Sequence, residues 1–268
     1  MKRRLHAGAL AVIAAALPFF ATPAAAQESE GRGWIVTLGA GPQIYPKYPG
    51  ADSYGINPMP ILGLRREGAP RPFEAPDEGA GFGFLGPSSR FDFGPAIRFQ
   101  NKREEDDVGA AVGDVGFTVE AGAFAQAYVT DNFRLRVEGR RGIGGHDGWV
   151  GDVSADFVMR SGDRTIFSIG PRARIANGRY HRAYFGVDDG VAAATGLPVY
   201  RLGSGVYAVG ATAGITHMLN QGLGLYAYAG YDRLVGDAAD SPIVRAFGSR
   251  DQFSGGIGLF LEFGVGGR

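Results

Sequence analysis

The chain has no cysteine among its 268 residues. That excludes disulfide staples, a thiolate metal site, a cysteine nucleophile and a lipid anchor through cysteine. It has no surplus charge either, with 27 basic residues against 27 acidic ones. Nucleic-acid binders carry a basic excess, so no such partner is expected. Histidine is scarce, at four residues. No glycine-rich phosphate or dinucleotide loop stands in a strand–loop–helix setting, so no cofactor is expected. What is plentiful is glycine, 45 residues, and aromatics make up 12%. The glycines lack a three-residue period, which excludes collagen. A hydrophobic share of 45% is too high for a disordered chain.

The N-terminus predicts export. Lys2, Arg3 and Arg4 precede a 14-residue uncharged apolar run, Ala7 to Phe20. Ala24-Ala25-Ala26 then offers the small residues of a signal-peptidase site, with cleavage expected before Gln27. The run is too short to span a bilayer as a helix, which takes about 20 residues. The expected organisation is a signal peptide over 1–26 and a single domain over 27–268. Removing the signal leaves 24 basic residues against 27 acidic ones.

Leu202 to Tyr231 is free of Lys, Arg, Asp and Glu, and invites a transmembrane-helix reading. Its density of glycine argues against a helix. Asn220-Gln221-Gly222 divides it into two alternating halves, which fits a hairpin. Alternation recurs along the chain. Phe133, Leu135 and Val137 oppose Arg134, Arg136, Glu138 and Arg140. Val153, Ala155, Phe157 and Met159 oppose Asp152, Ser154, Asp156 and Arg160. Similar faces recur near 91–100, 165–176 and 256–263.

One apolar and one charged face suits either a soluble sheet or a membrane barrel whose lumen takes the charges. Segment length separates them. Many run 10 to 13 residues, whereas soluble strands average ~5–6 and a tilted strand crosses a bilayer in about 9–11. Short turns at 130–132, 161–163 and 220–222 also alternate with longer connections at 102–114, 144–148, 177–202 and 235–250, the outer-membrane habit. The expected fold is all-β, a single transmembrane antiparallel barrel in the outer membrane of a Gram-negative bacterium. Eleven candidate strands can be marked. An even count is the bacterial rule, so twelve is favoured, with ten as the alternative, and 45–90 is the irregular region.

Several segments resemble the MipA/OmpV family of outer-membrane proteins. They are Tyr45-Pro46-Lys47-Tyr48-Pro49-Gly50-Ala51-Asp52-Ser53-Tyr54 with Pro58-Met59-Pro60, Gly144-Gly145-His146-Asp147-Gly148, Tyr184-Phe185-Gly186-Val187 with Thr195-Gly196-Leu197, and Tyr231 through Val244, which includes Asp237, Asp240, Ser241 and Pro242. The matches occur in order over nearly the whole mature chain. The resemblance implies an outer-membrane barrel. For the best-known member it implies a scaffold bridging a lytic transglycosylase and a peptidoglycan synthase. Such barrels usually end on an aromatic residue; Phe263 fits, but Gly264 to Arg268 follow it.

Candidate chemistry is thin. His146 beside Asp147 is a potential base or metal ligand, but no further ligands stand at metal spacing, and a tight glycine turn explains it as well. His181 is expected to be a solvated loop residue. His217 is expected at an interfacial position. A lipid-modifying hydrolase would need an activated serine near a histidine, and none stands beside His217 on its face. Gly186-Val187-Asp188-Asp189-Gly190 lacks the acidic ladder of a calcium loop. The strongest group is the set expected to face the lumen: Arg98, Glu120, Arg134, Arg136, Glu138, Arg140, Asp152, Asp156, Arg172, Arg174, Asp232 and Glu262. These form either a selectivity eyelet or an ion-pair brace filling a narrow barrel; the brace is favoured. The expected function is a non-enzymatic scaffold. A small-solute pore or ligand-binding barrel is the alternative, and a hydrolase comes third.

Overall fold

A computed structural model describes residues 33–86 and 89–266; the expected signal peptide and its cleavage site lie outside them. The strands are β1 (Trp34–Pro46), β2 (Tyr54–Arg66), β3 (Ala80–Gly81), β4 (Phe91–Gln100), β5 (Thr118–Thr130), β6 (Phe133–Gly144), β7 (Trp149–Ser161), β8 (Thr165–Ala176), β9 (Gly205–Met218), β10 (Leu223–Leu234) and β11 (Asp251–Val265). They form one antiparallel sheet in the order β2-β1-β11-β10-β9-β8-β7-β6-β5-β4-β3. The first and last long strands therefore meet, with Trp34 opposite Val265.

Period-2 patterning explains both faces of the wall. Along β6, Leu135 and Val137 are exposed, while Arg134, Arg136, Glu138 and Arg140 are buried. Outward residues include Ile56 at 80% exposure and Leu62 at 68%. A soluble domain would hide such side chains; this sheet turns its charges in and its apolar residues out, the inverse pattern of a barrel in lipid. No helix among the described residues is long and apolar enough to cross a membrane.

The favoured count of twelve is corrected to eleven among the described residues, and β3 has only two residues. The reason lies between β2 and β4. Pro70, Pro72 and Pro76 remove ladder donors from this stretch. Residues 71–79 leave the wall and enter the lumen, where they form a plug. The long connections, with the 47–53 turn, gather at one end. They carry five short helices: α1 (Glu105–Val108), α2 (Gly178–Phe185), α3 (Asp189–Thr195), α4 (Gly236–Asp240) and α5 (Pro242–Phe247). At the C-terminus, Gly264 and Val265 continue β11 beyond Phe263 and pair with β1, so they are not a tail.

Candidate functional site: a braced lumen under a loop cap

Each of the twelve residues expected to face the lumen takes part in an ion pair. Arg140 is the densest node. Its Nε lies 2.9 Å from Glu120, its Nη2 2.7 Å from Asp152, and its Nη1 reaches Glu138. Arg136 lies 2.7 Å from Glu138 and stacks over Phe124 at 3.7 Å. Asp156, fully buried, accepts from Arg134 at 2.7 Å and Arg172 at 2.8 Å. Arg174 bridges Asp152 at 2.9 Å and Asp232 at 2.8 Å, and Arg98 approaches Asp152 at 3.6 Å.

The alternation missed the plug's contribution. Asp77 pairs with Arg172 at 2.9 Å and Arg174 at 3.3 Å. Glu78 pairs with Arg134 and lies 3.8 Å from Arg136. Arg71 lies 2.8 Å from Glu262, which Arg65 also approaches at 3.4 Å. No periodic signal marked these residues, because the segment is neither strand nor helix. A space of about 10 Å³ remains between Asp77, Arg98, Arg136 and Asp152, room for about one water. On this side the wall and plug charges are matched with one another.

The motif segments meet in the cap. Tyr48, Tyr180, Tyr184, Phe185, Val187, Ile243 and Val244 share one apolar cluster built from three of the long connections and the 47–53 turn. Ser241 Oγ donates to the Phe185 carbonyl at 2.7 Å. Pro242 opens α5, where its missing N–H costs nothing. Asp240 pairs with Arg245 and Arg250 at the exposed rim, and the Asp237 carbonyl accepts from the Tyr200 hydroxyl at 3.0 Å. Pro46 ends β1 opposite Tyr54. Asn177 caps α2 by accepting from the Tyr180 amide at 3.3 Å, and also accepts from Trp149 at 3.1 Å. The β8–β9 ladder slips between Arg174 and Ile175, leaving Tyr207 as the extra residue. Such a bulge re-aims a side chain. Here Tyr207 turns against Tyr180, with ring centroids 5.1 Å apart. The buried Arg103, unmarked by the sequence, donates to the carbonyls of Tyr184 at 3.2 Å and Gly113 at 2.8 Å.

Gly145, Gly148 and Gly186 each sit where a Cβ would press on neighbouring atoms. Gly50 is the sharpest case. Its φ is +92°, and a Cβ would meet Val244 at 3.1 Å and Phe185 at 3.3 Å. Gly50→Ala should therefore cost about 1–2 kcal/mol for the left-handed backbone alone. Equilibrium unfolding of the refolded barrel measures this, and an unchanged midpoint would mean that the turn relaxes freely.

Each described histidine has a structural partner. The Gly148 amide donates to His146 Nδ1 at 3.0 Å, so Nε2 carries the proton and donates to Glu120 at 3.1 Å. His146 thus ties the cap to the lumen brace. His181 is corrected from solvated to buried, at 3% exposure. Its Nδ1 donates to the Gly203 carbonyl at 2.6 Å, while Nε2 is buried without a partner. Burial holds its pKa below the usual histidine value, opposed only in part by the Gly203 bond. A group depressed on folding binds fewer protons folded than unfolded, so its stability contribution is complete above pH ~6.5 and declines as pH falls. The 177–204 loop should become more protease-sensitive below that pH, and His181→Gln should remove this dependence. His217 Nδ1 lies 2.8 Å from the Thr165 hydroxyl. Both belong to the outward face near a short turn. No cluster of three or more metal-binding side chains occurs among the described residues.

The family described as MltA-interacting protein MipA matches residues 38–263. No curated protein matches the chain. Among solved structures, a TodX deltaS2S3 mutant monoaromatic hydrocarbon channel is similar at 10% identity, over 89% of this chain and 91% of that one, with a TM-score of 0.33. The outer membrane protein OprG from Pseudomonas aeruginosa is similar at 9% identity, over 88% and 98%, with a TM-score of 0.26. Scores this low mark a loose likeness only.

Proposed function

Because the chain belongs to the MltA-interacting protein family, we propose that it is a non-enzymatic outer-membrane barrel that serves as a scaffold for peptidoglycan-processing enzymes. A lytic transglycosylase is the partner that the family's description suggests, and a peptidoglycan synthase is the second. The observation that carries this reading is the ion-paired half of the lumen. Arg134, Arg136, Arg140, Arg172 and Arg174 are all committed to carboxylates of the wall or the plug. A protein that spends its interior charges on one another acts through its outer surfaces. The short turns at 131–132, 162–164 and 219–222 form the end opposite the cap. In an outer-membrane barrel that end faces the periplasm, where peptidoglycan lies. The sequence 1–26 would deliver the chain there as a cleaved signal.

In-cell photo-crosslinking from Asp131 and Gln221 tests the proposal. A murein hydrolase or synthase is the expected capture. If none is captured and purified barrels conduct ions steadily in planar bilayers, the pore reading replaces the scaffold.

A further inference from the structure

The inner wall is divided by chemistry. The half formed by β4 to β8 carries the arginine brace. The half formed by β9, β10, β11, β1 and β2 carries fewer charges, chiefly Asp232, Glu262 and Arg65, among small, hydroxyl and apolar groups. Between that second half and the plug lies a cavity of about 380 Å³. Met59, Phe73, Ile166, Tyr226 and Phe260 line it. Met59 and Phe260 are almost fully buried, at 6% and 2% exposure. The wall is thinned here: the Phe260 ring occupies the place that a Cβ on Gly224 would take. An apolar cavity of ~150 Å³ already admits benzene. This one has room for a larger guest.

The cavity also reaches the outside of the wall. Among the described residues no strand pairs with the outer edge of β2, which ends the sheet. Pro58 and Pro60 sit in that strand two residues apart, so both missing donors fall on the same edge, the position sheets allow to proline. Across the gap, the stretch from Ala80 is held to β4, and the Phe84 amide donates to the Phe93 carbonyl at 3.0 Å. Leu62 and Leu64 point outward and are exposed, yet they border the inner cavity together with Ala80. Residues of β2 and Ala80 of β3 border the same cavity, so it reaches the gap between the two unpaired edges. The charges that also line the cavity are largely matched, since Arg71 and Arg65 hold Glu262 and Arg134 holds Glu78. Glu74 lines the cavity, has no ion pair among the described residues, and opposes an anionic guest.

We infer that the cavity binds an uncharged lipophilic molecule that enters from the bilayer through the seam between β2 and β3. This rests on the membrane placement proposed above, but not on the enzyme partner.

Methionine methyl spectra of the mature barrel in lipid nanodiscs supply the readout, with naphthalene as the probe. Met59 lines the cavity, Met159 is exposed on the outer face and Met218 is buried away from the cavity. Saturable displacement of the Met59 resonance alone is expected. Thr216→Trp, which fills the cavity, should abolish it while the barrel keeps its SDS-resistant mobility. No Met59 displacement, or an equal and non-saturating one at Met159, overturns the site. The native chain lacks cysteine, so one pair at Leu62→Cys and Phe82→Cys can be joined by a cleavable bis-maleimide. Joining should slow naphthalene exchange at least tenfold, and cleavage should restore it. Unaltered exchange, or failure of the pair to join, overturns the seam route.

Discussion

Arg140→Met should lower the stability of the folded barrel by about 3–5 kcal/mol, the usual loss when one partner of a buried ion-pair network is removed. The magnitude follows from the number of orphans. Glu120, Glu138 and Asp152 all lose the same guanidinium. Glu120 and Glu138 are each more than nine-tenths buried. Glu120 keeps His146 as a partner, which limits the loss at that carboxylate. Urea unfolding monitored by SDS-resistant mobility measures the effect. Arg141→Met is the matched control. Arg141 is exposed and its guanidinium lies 5.9 Å from the Trp149 ring, so a change within ~0.5 kcal/mol is expected. Equal effects at 140 and 141 would mean that water, not protein, solvates the brace. Arg136→Glu should also destabilise strongly, by setting a new acid against Glu138 and Glu78.

The second large effect concerns permeability. The plug and the cap are two barriers in series, so removing either alone should leave the barrel silent in planar bilayers. Replacing residues 71–78 with an equal length of Gly and Ser removes one barrier. Shortening the 177–204 loop removes the apolar packing of Tyr180, Tyr184 and Phe185 and opens the other. The double variant should conduct steadily. It should also prefer anions, because the replacement removes Glu74, Asp77 and Glu78 but only one arginine, Arg71. Conductance in the plug variant alone would show that the cap does not seal. A silent double variant would show that the wall arginines close the lumen unaided.

The long strands were legible because their two faces differ in polarity at every second residue. β6 reads from Phe133, Leu135 and Val137 against Arg134, Arg136 and Glu138, and the structure pairs it with its neighbours over that span. The lumen set was legible for the same reason. The plug was not. Its partners lie far away in sequence, Asp77 against Arg172 and Glu78 against Arg134, and a proline-rich stretch has no period to betray which side it faces. The same gap produced the overcount of strands: parity suggested a twelfth strand where the chain turns inward. The loop helices were also hidden, since α2 and α3 are short and gain their burial from other loops. His181 misled because a histidine between arginines, Tyr180-His181-Arg182 after Arg179, looks solvated. Arg179 and Arg182 are exposed, while the His181 ring faces Phe185 and Tyr207.

Trp34 opposite Val265 makes the wall a clasp whose two halves are manufactured at opposite ends of synthesis. Until β11 has been exported, β1 has only β2 beside it and β10 has only β9. Every nascent or truncated chain that stops short of Asp251 therefore carries two adhesive strand edges through the aqueous compartment, each a template for pairing with another chain. Contacts this distant in sequence form slowly. The cell must shelter the unfinished chain for that interval, and the final fifteen residues of β11 act as the step that ends it.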